Sequence, residues 1–101
     1  MDRWEKLRDL LKGILGTDNV YFQPPPSIKL QYPCIILKRE ADRSLRADNH
    51  RYTSKFKYSI NYIRRSHDTE IPEKILELPY CAYDRFFAVD GLNHDFFIIY
   101  Y

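Results

Sequence analysis

The side chains with the greatest chemical capacity in this chain are three histidines, two of them followed directly by aspartate: His67-Asp68, His94-Asp95 and the isolated His50. Imidazole and carboxylate ligate metals and move protons. Adjacent residues on a strand point to opposite faces, however, so neither His-Asp pair chelates as a unit. A site would need ligands from distant parts of the chain, and both residue types are ordinary in turns. No metal and no cofactor are expected. Ser44, Ser54 and Ser59 have no glycine-rich elbow around them, and three scattered glycines make no phosphate-cradling loop. Cys34 and Cys81 lie in apolar stretches, where a thiol is inert. These residues predict a protein without enzymatic activity.

A different chemistry runs through YTSKFKYSINYIRRSHD, residues 52–68. Its even positions are Tyr52, Ser54, Phe56, Tyr58, Ile60 and Tyr62; the odd ones, from Arg51, are Arg51, Thr53, Lys55, Lys57, Ser59 and Asn61. Cations for phosphate and rings for base stacking are the means of nucleic-acid binding. Here the alternation separates them, placing rings on one face of a strand and cations on the other. Rings on one face are expected to be core, and cations on the other to be solvent-facing or an interface. A pI near 8.5 is below the range of a dedicated nucleic-acid binder, so that function is kept only as an alternative.

The surrounding elements follow from periodicity and punctuation. Trp4, Leu7, Leu10, Leu11 and Ile14 form one stripe, which predicts an amphipathic helix over 2–15, with Asp2 at its start and Gly16 as its stop. Residues 19–23 are a brief strand candidate, followed by an extended PPPS connection. CIILKRE (34–40) begins apolar and ends charged, as a strand leaving the core would. The polar stretch 40–51 then reads as the tip of a long hairpin whose returning strand is about 51–64. IPEKILELP (71–79) is a short helix with Pro72 at its first position. Residues 84–101 are two strands joined at Asp90-Gly91, and the terminal FFIIYY, apolar on both faces, predicts a central or doubly covered strand. The expected class is α+β: a mostly antiparallel sheet with a long projecting hairpin, covered by an N-terminal helix and a short second helix.

One domain, 1–101, fits the length. The aromatic share of 16% includes nine tyrosines, residues favoured at half-buried interfaces. No apolar run is long enough to span a membrane, and MDRWEKLRDLLKGILG is charged throughout, unlike a secretory signal. Two cysteines without a disulfide framework fit a protein made in a cytoplasm with reduced thiols. Net charge is only +2 but is segregated. Residues 38–65 carry nine Lys/Arg against three Asp/Glu; residues 66–101 carry two against seven. A basic middle beside an acidic end can neutralise itself within one fold, or equally serve copies that meet head to tail around a ring.

The run IPEKILELPYCAYDRFFAVDGLNHDFFIIYY, preceded by KFKYSINYIRR, resembles the small tail-completion proteins of tailed bacteriophages, the tail-terminator-like components of the head–tail joint. The resemblance covers about residues 33–101 and rests on the Pro-led helix, on Phe86-Phe87 before the Asp-Gly turn, and on LNHDFFIIYY. It implies a structural virion protein, a hexameric homo-oligomer ring that caps the tail tube and meets the head connector proteins, with DNA passing through its lumen and no enzyme activity or cofactor. It carries over no individual residue. On charge, Arg43, Arg46, Arg51, Lys55 and Lys57 are the expected interface residues, facing the lumen or a neighbouring subunit. A head-closure, adaptor or minor capsid protein of the same joint is the nearest alternative.

Overall fold

The computed structural model describes residues 2–40, 46–47, 50–51 and 55–101, with the backbone alone at 46–47 and 50–51. Helix α1 (Arg3–Leu15) begins where Asp2 and Glu5 form a capping box: the Asp2 carboxylate accepts from the backbone, and Glu5 reaches back to the Asp2 N–H. It ends at Gly16, whose φ of 84° is the left-handed cap conformation, its N–H bonded to the Lys12 carbonyl. Strands β1 (Val20–Phe22) and β2 (Cys34–Arg39) follow, then the two-residue strands β3 (Arg46–Ala47) and β4 (His50–Arg51). Strand β5 (Lys57–Arg64), helix α2 (Glu70–Leu76), and strands β6 (Cys81–Val89) and β7 (Leu92–Tyr100) complete the chain.

The main sheet has the order β1-β2-β5-β7-β6, antiparallel except for the parallel β1–β2 pair; β3 and β4 pair separately as a ribbon. The α+β class therefore holds, with β2 and β5 as the stem of the hairpin. Register aligns transverse rows of side chains. Ile35–Tyr62–Asp95, Leu37–Ile60–Phe97–Tyr83 and Tyr58–Ile99–Cys81 share one face; Ile36–Asn61–Phe96–Arg85 and Lys38–Ser59–Ile98–Ala82 share the other. The core is built from the first face. Tyr58, Ile60, Tyr62, Phe97 and Ile99 are buried under Leu7 and Leu11 of α1 and Ile75 of α2. Trp4 stacks on Phe22 at 4.4 Å, fixing α1 over the β1 edge.

Two expectations need correction, and that of a central terminal strand is met. Pro72 is the third residue of α2, because Glu70 and Ile71 already turn helically after Thr69. Leu10 lies at the margin of its stripe and is 40% exposed. Strand β7 is central in pairing but covered by helices on one face alone, leaving Phe96 and Ile98 half-buried on the other. The β6–β7 turn falls at Asp90-Gly91, as expected. Val89 pairs with Leu92, and Asp90 and Gly91 take φ of 53° and 74°, both positive as a two-residue hairpin requires.

Burial sets a ranking of substitutions. Phe97→Ala at the centre of the covered face should cost about 3–5 kcal/mol of unfolding free energy in urea titration. Leu10→Ala should cost less than about 1 kcal/mol. Equal losses would contradict the burial assigned to these two residues.

Candidate interaction surface

The carboxylates of the two His-Asp motifs meet at one cation. Arg64, at the end of β5, donates through Nη1 to Asp95, through Nε to Asp68 Oδ1 at 3.3 Å, and through Nη2 to the Asp68 carbonyl at 2.9 Å. Tyr83 donates its hydroxyl to Asp95, and Tyr62 donates to Asp68 at 3.3 Å. Ser66 Oγ donates to Asp68 Oδ1 at 2.7 Å, and Asn93 Nδ2 donates to the Ser66 carbonyl at 2.8 Å. Burial would raise the Asp68 carboxyl, but Ser66, Arg64 and Tyr62 together hold it below its ordinary value. Burial first, then bonding to or proximity of these carboxylates, pushes Tyr62 and Tyr83 up to about 12.

This cluster is a closed ion network. Every donor of Arg64 named above has an acceptor, and each carboxylate has at least two donors, so neither is a spare acid or base. Its work is to tie the connection 65–69, and with it α2, to the end of the sheet. No group of three or more His, Cys, Asp or Glu among the described residues is arranged to hold a metal. His67 and His94 do not converge: His67 lies by Asn93 at 3.5 Å, while His94 stacks flat on Phe87 at 4.5 Å on the opposite face. Clefts of about 300 Å³ beside Arg64 and about 280 Å³ between Leu10, Leu78 and Tyr80 lie at the small end of ligand cavities. Cys34 and Cys81 are free thiols, raised to about 11 by burial.

The larger feature is the sheet face without helices. At the hairpin end it carries Lys38 and Lys57; further along it carries Ile36, Asn61, Phe96, Ile98, Phe87 and Val89. The prediction of a cationic odd face on β5 therefore fails beyond Lys57: Ser59 and Ile63 are buried and Asn61 is half-buried, because β2 and β7 pack their own apolar side chains beside them. Among these, Asn61 Oδ1 and both His94 ring nitrogens are shielded from solvent with no hydrogen-bond partner. Burial, then the charge of Arg64, lowers the His94 pKa, so the ring is neutral near pH 7.

Strand β6 bounds this face as an edge strand, and beyond Cys81 every residue of it is exposed. Tyr83, Phe86, Phe87 and Val89 are its exposed large apolar residues. Its ladder phase is set by the Val89–Leu92 turn pair at one end and by the Tyr100 N–H bonded to the Tyr80 carbonyl at the other. Alternation from both ends, with the bulge between Tyr83 and Arg85, turns the peptide groups of Cys81, Tyr83, Phe86 and Ala88 outward. The opposite edge, β1, has three residues and runs into Gln23 at φ 43° and then Pro24, Pro25 and Pro26. That edge is blunted; β6 is nine residues long, carries no proline and is interrupted only at its bulge, beside the charged Asp84 and Arg85.

Of the residues expected at an interface, Arg43 lies outside the described residues, as do the side chains of Arg46 and Arg51, whose backbones pair in the ribbon. Lys55 sits 5.0 Å over the Tyr80 ring, and Arg39 and Arg3 flank Phe56 at 3.9 Å and 5.0 Å, clamping the foot of the hairpin to the domain. Lys57 is half-buried, its carbonyl accepting from the Glu40 N–H. Sequence reasoning missed β6 as an edge; its exposed Phe86-Phe87 and the absence of proline are the signal that would have found it. Comparison with protein-family models, with curated proteins and with solved structures finds no match.

Two measurements follow. Asp95→Ala leaves the Arg64 charge buried beside a single carboxylate and should cost about 3–5 kcal/mol of stability; Asp84→Ala on the open edge should cost almost nothing, and equal effects would contradict the network. Because the folded His94 pKa is depressed, the unfolded chain binds the extra proton first. Stability should be complete above the unfolded value near 6.5 and fall as pH drops from there towards the folded pKa. His94→Leu should flatten that slope in thermal melts between pH 7 and 5; an unchanged slope would refute the neutral, buried ring.

Proposed function

We propose that this protein is a structural ring subunit of the head–tail joint of a tailed bacteriophage, capping the tail tube and meeting the head connector. The observation that carries the reading is a sheet with helices on one side only among the described residues: the other face is covered by its own strands' side chains, with Ile36, Phe96 and Ile98 half-buried and Phe87 and Val89 exposed towards the β6 edge. A chain that leaves such surface open uses it to associate. Charge segregation favours a heterologous, ring-closing association, since a head-to-tail contact needs two different complementary patches on each copy. The resemblance of residues 33–101 to tail-completion proteins supplies the place in the virion. In this reading the tail tube protein and the head connector are the partners, DNA passes through the lumen, and the Arg64 network is scaffold, not catalyst.

The test is native mass and negative-stain imaging of the protein alone and mixed with polymerised tail tubes. Hexameric rings, free or seated on tube ends, are expected. A monomer in both preparations, or a steep salt-dependent shift of DNA instead, would overturn the proposal.

A further inference from the structure

Two unmet structural needs coexist in this chain. The β3–β4 ribbon forms a sheet of its own, separate from the five-stranded one, and an isolated two-stranded ribbon is marginal in water. Strand β6 offers four outward peptide groups, at Cys81, Tyr83, Phe86 and Ala88, that face no neighbouring strand among the described residues. We infer that the ribbon of one copy adds to the β6 edge of the next, extending its sheet between subunits. The inference rests on the ring reading above and names the surfaces that close the ring.

Charge selects this occupant over the alternatives. Residues 41–56, which include the ribbon, hold four Lys/Arg against two Asp/Glu. Residues 66–90, which include α2 and β6, hold six Asp/Glu against two Lys/Arg. Glu73 on α2, Glu77 at its C-cap, and Asp84 and Asp90 on β6 and its turn are all exposed. A symmetric β6–β6 pairing would bring these acidic groups of two copies together, and like charges disfavour it; a basic ribbon neutralises them. The β1 edge runs straight into Gln23 at positive φ and then three prolines, which end its pairing, and it lies away from the acidic residues of β6 and α2. Backbone pairing supplies the contact and charge supplies its direction.

The inference is tested with two complementary variants of the full chain. Ala88→Pro removes one outward N–H and leaves the β6–β7 ladder bonds in place, because Ala88 bonds away from β7. Arg46→Glu with Arg51→Glu reverses the ribbon's charge. Each variant alone should run as a monomer under conditions where wild type forms rings. An equimolar mixture should give a heterodimer, since one copy retains a working ribbon and the other a working edge. A further chain that combines the ribbon reversal with Glu77→Lys and Asp84→Lys should regain rings, which guards against Ala88→Pro failing to fold. Rings from the ribbon-reversed variant, dimers of that variant by itself, or a mixture that stays monomeric would overturn the inference while leaving the ring reading standing. Wild type that never forms rings, with or without tail tubes, overturns both.

Discussion

Strand β5 is hydrogen-bonded along both edges, to β2 and to β7, and must hide Tyr58, Ile60 and Tyr62 from water while doing so. Its strict alternation puts that whole row on one face. Helices α1 and α2 are amphipathic and have one apolar side each, so they cover one face and no more. The rest of the molecule follows from this constraint. The domain becomes two-layered, the second face of its sheet is left to side chains of neighbouring strands, and β6, paired with β7 alone, becomes an edge. Capping at Asp2 and Gly16, the Trp4–Phe22 stack and the cation–π clamp on Phe56 all serve to seat the single helical layer.

The Arg64 network plays a second, subordinate part. It lies at the end of β5 opposite Lys57, where β5 leads into α2, and neutralises Asp68 and Asp95 with one guanidinium. A buried ion pair of this kind contributes little net stability against an apolar alternative, but it penalises any other register of β5 on β7. Register matters here more than usual. A slip by one residue would move Tyr58, Ile60 and Tyr62 to the bare face and turn different peptide groups of β6 outward.

Elements announced by local signals were legible in the sequence. The stripe of α1, the alternation of β5 and the Asp90-Gly91 turn each encode their structure within a few residues, and together they yield the α+β class. What escaped depends on long-range register. Arg64 joins Asp68 and Asp95 only because β5 lies against β7 with Arg64 opposite Asn93, which no local pattern states. The odd face of β5 looked cationic because Lys55 and Lys57 dominate its start. Its continuation through Ser59, Asn61 and Ile63 is shaped by Ile36 and Phe96 from other strands. The start of β6 was obscured for a similar reason: YCAYDRFF lacks alternation, as an edge strand with a bulge and one solvated side can.

The proposed ring requires the outward amides of β6 to gain partners when copies meet, and amide hydrogen exchange reads this directly. In the dispersed chain, the amides of Tyr83, Phe86 and Ala88 should exchange fast while those of Phe87 and Val89, bonded to β7, are protected. In assembled rings the first three should become protected as well. Unchanged exchange at Tyr83, Phe86 and Ala88 on assembly, or protection of all three already in the dispersed chain, would contradict the account.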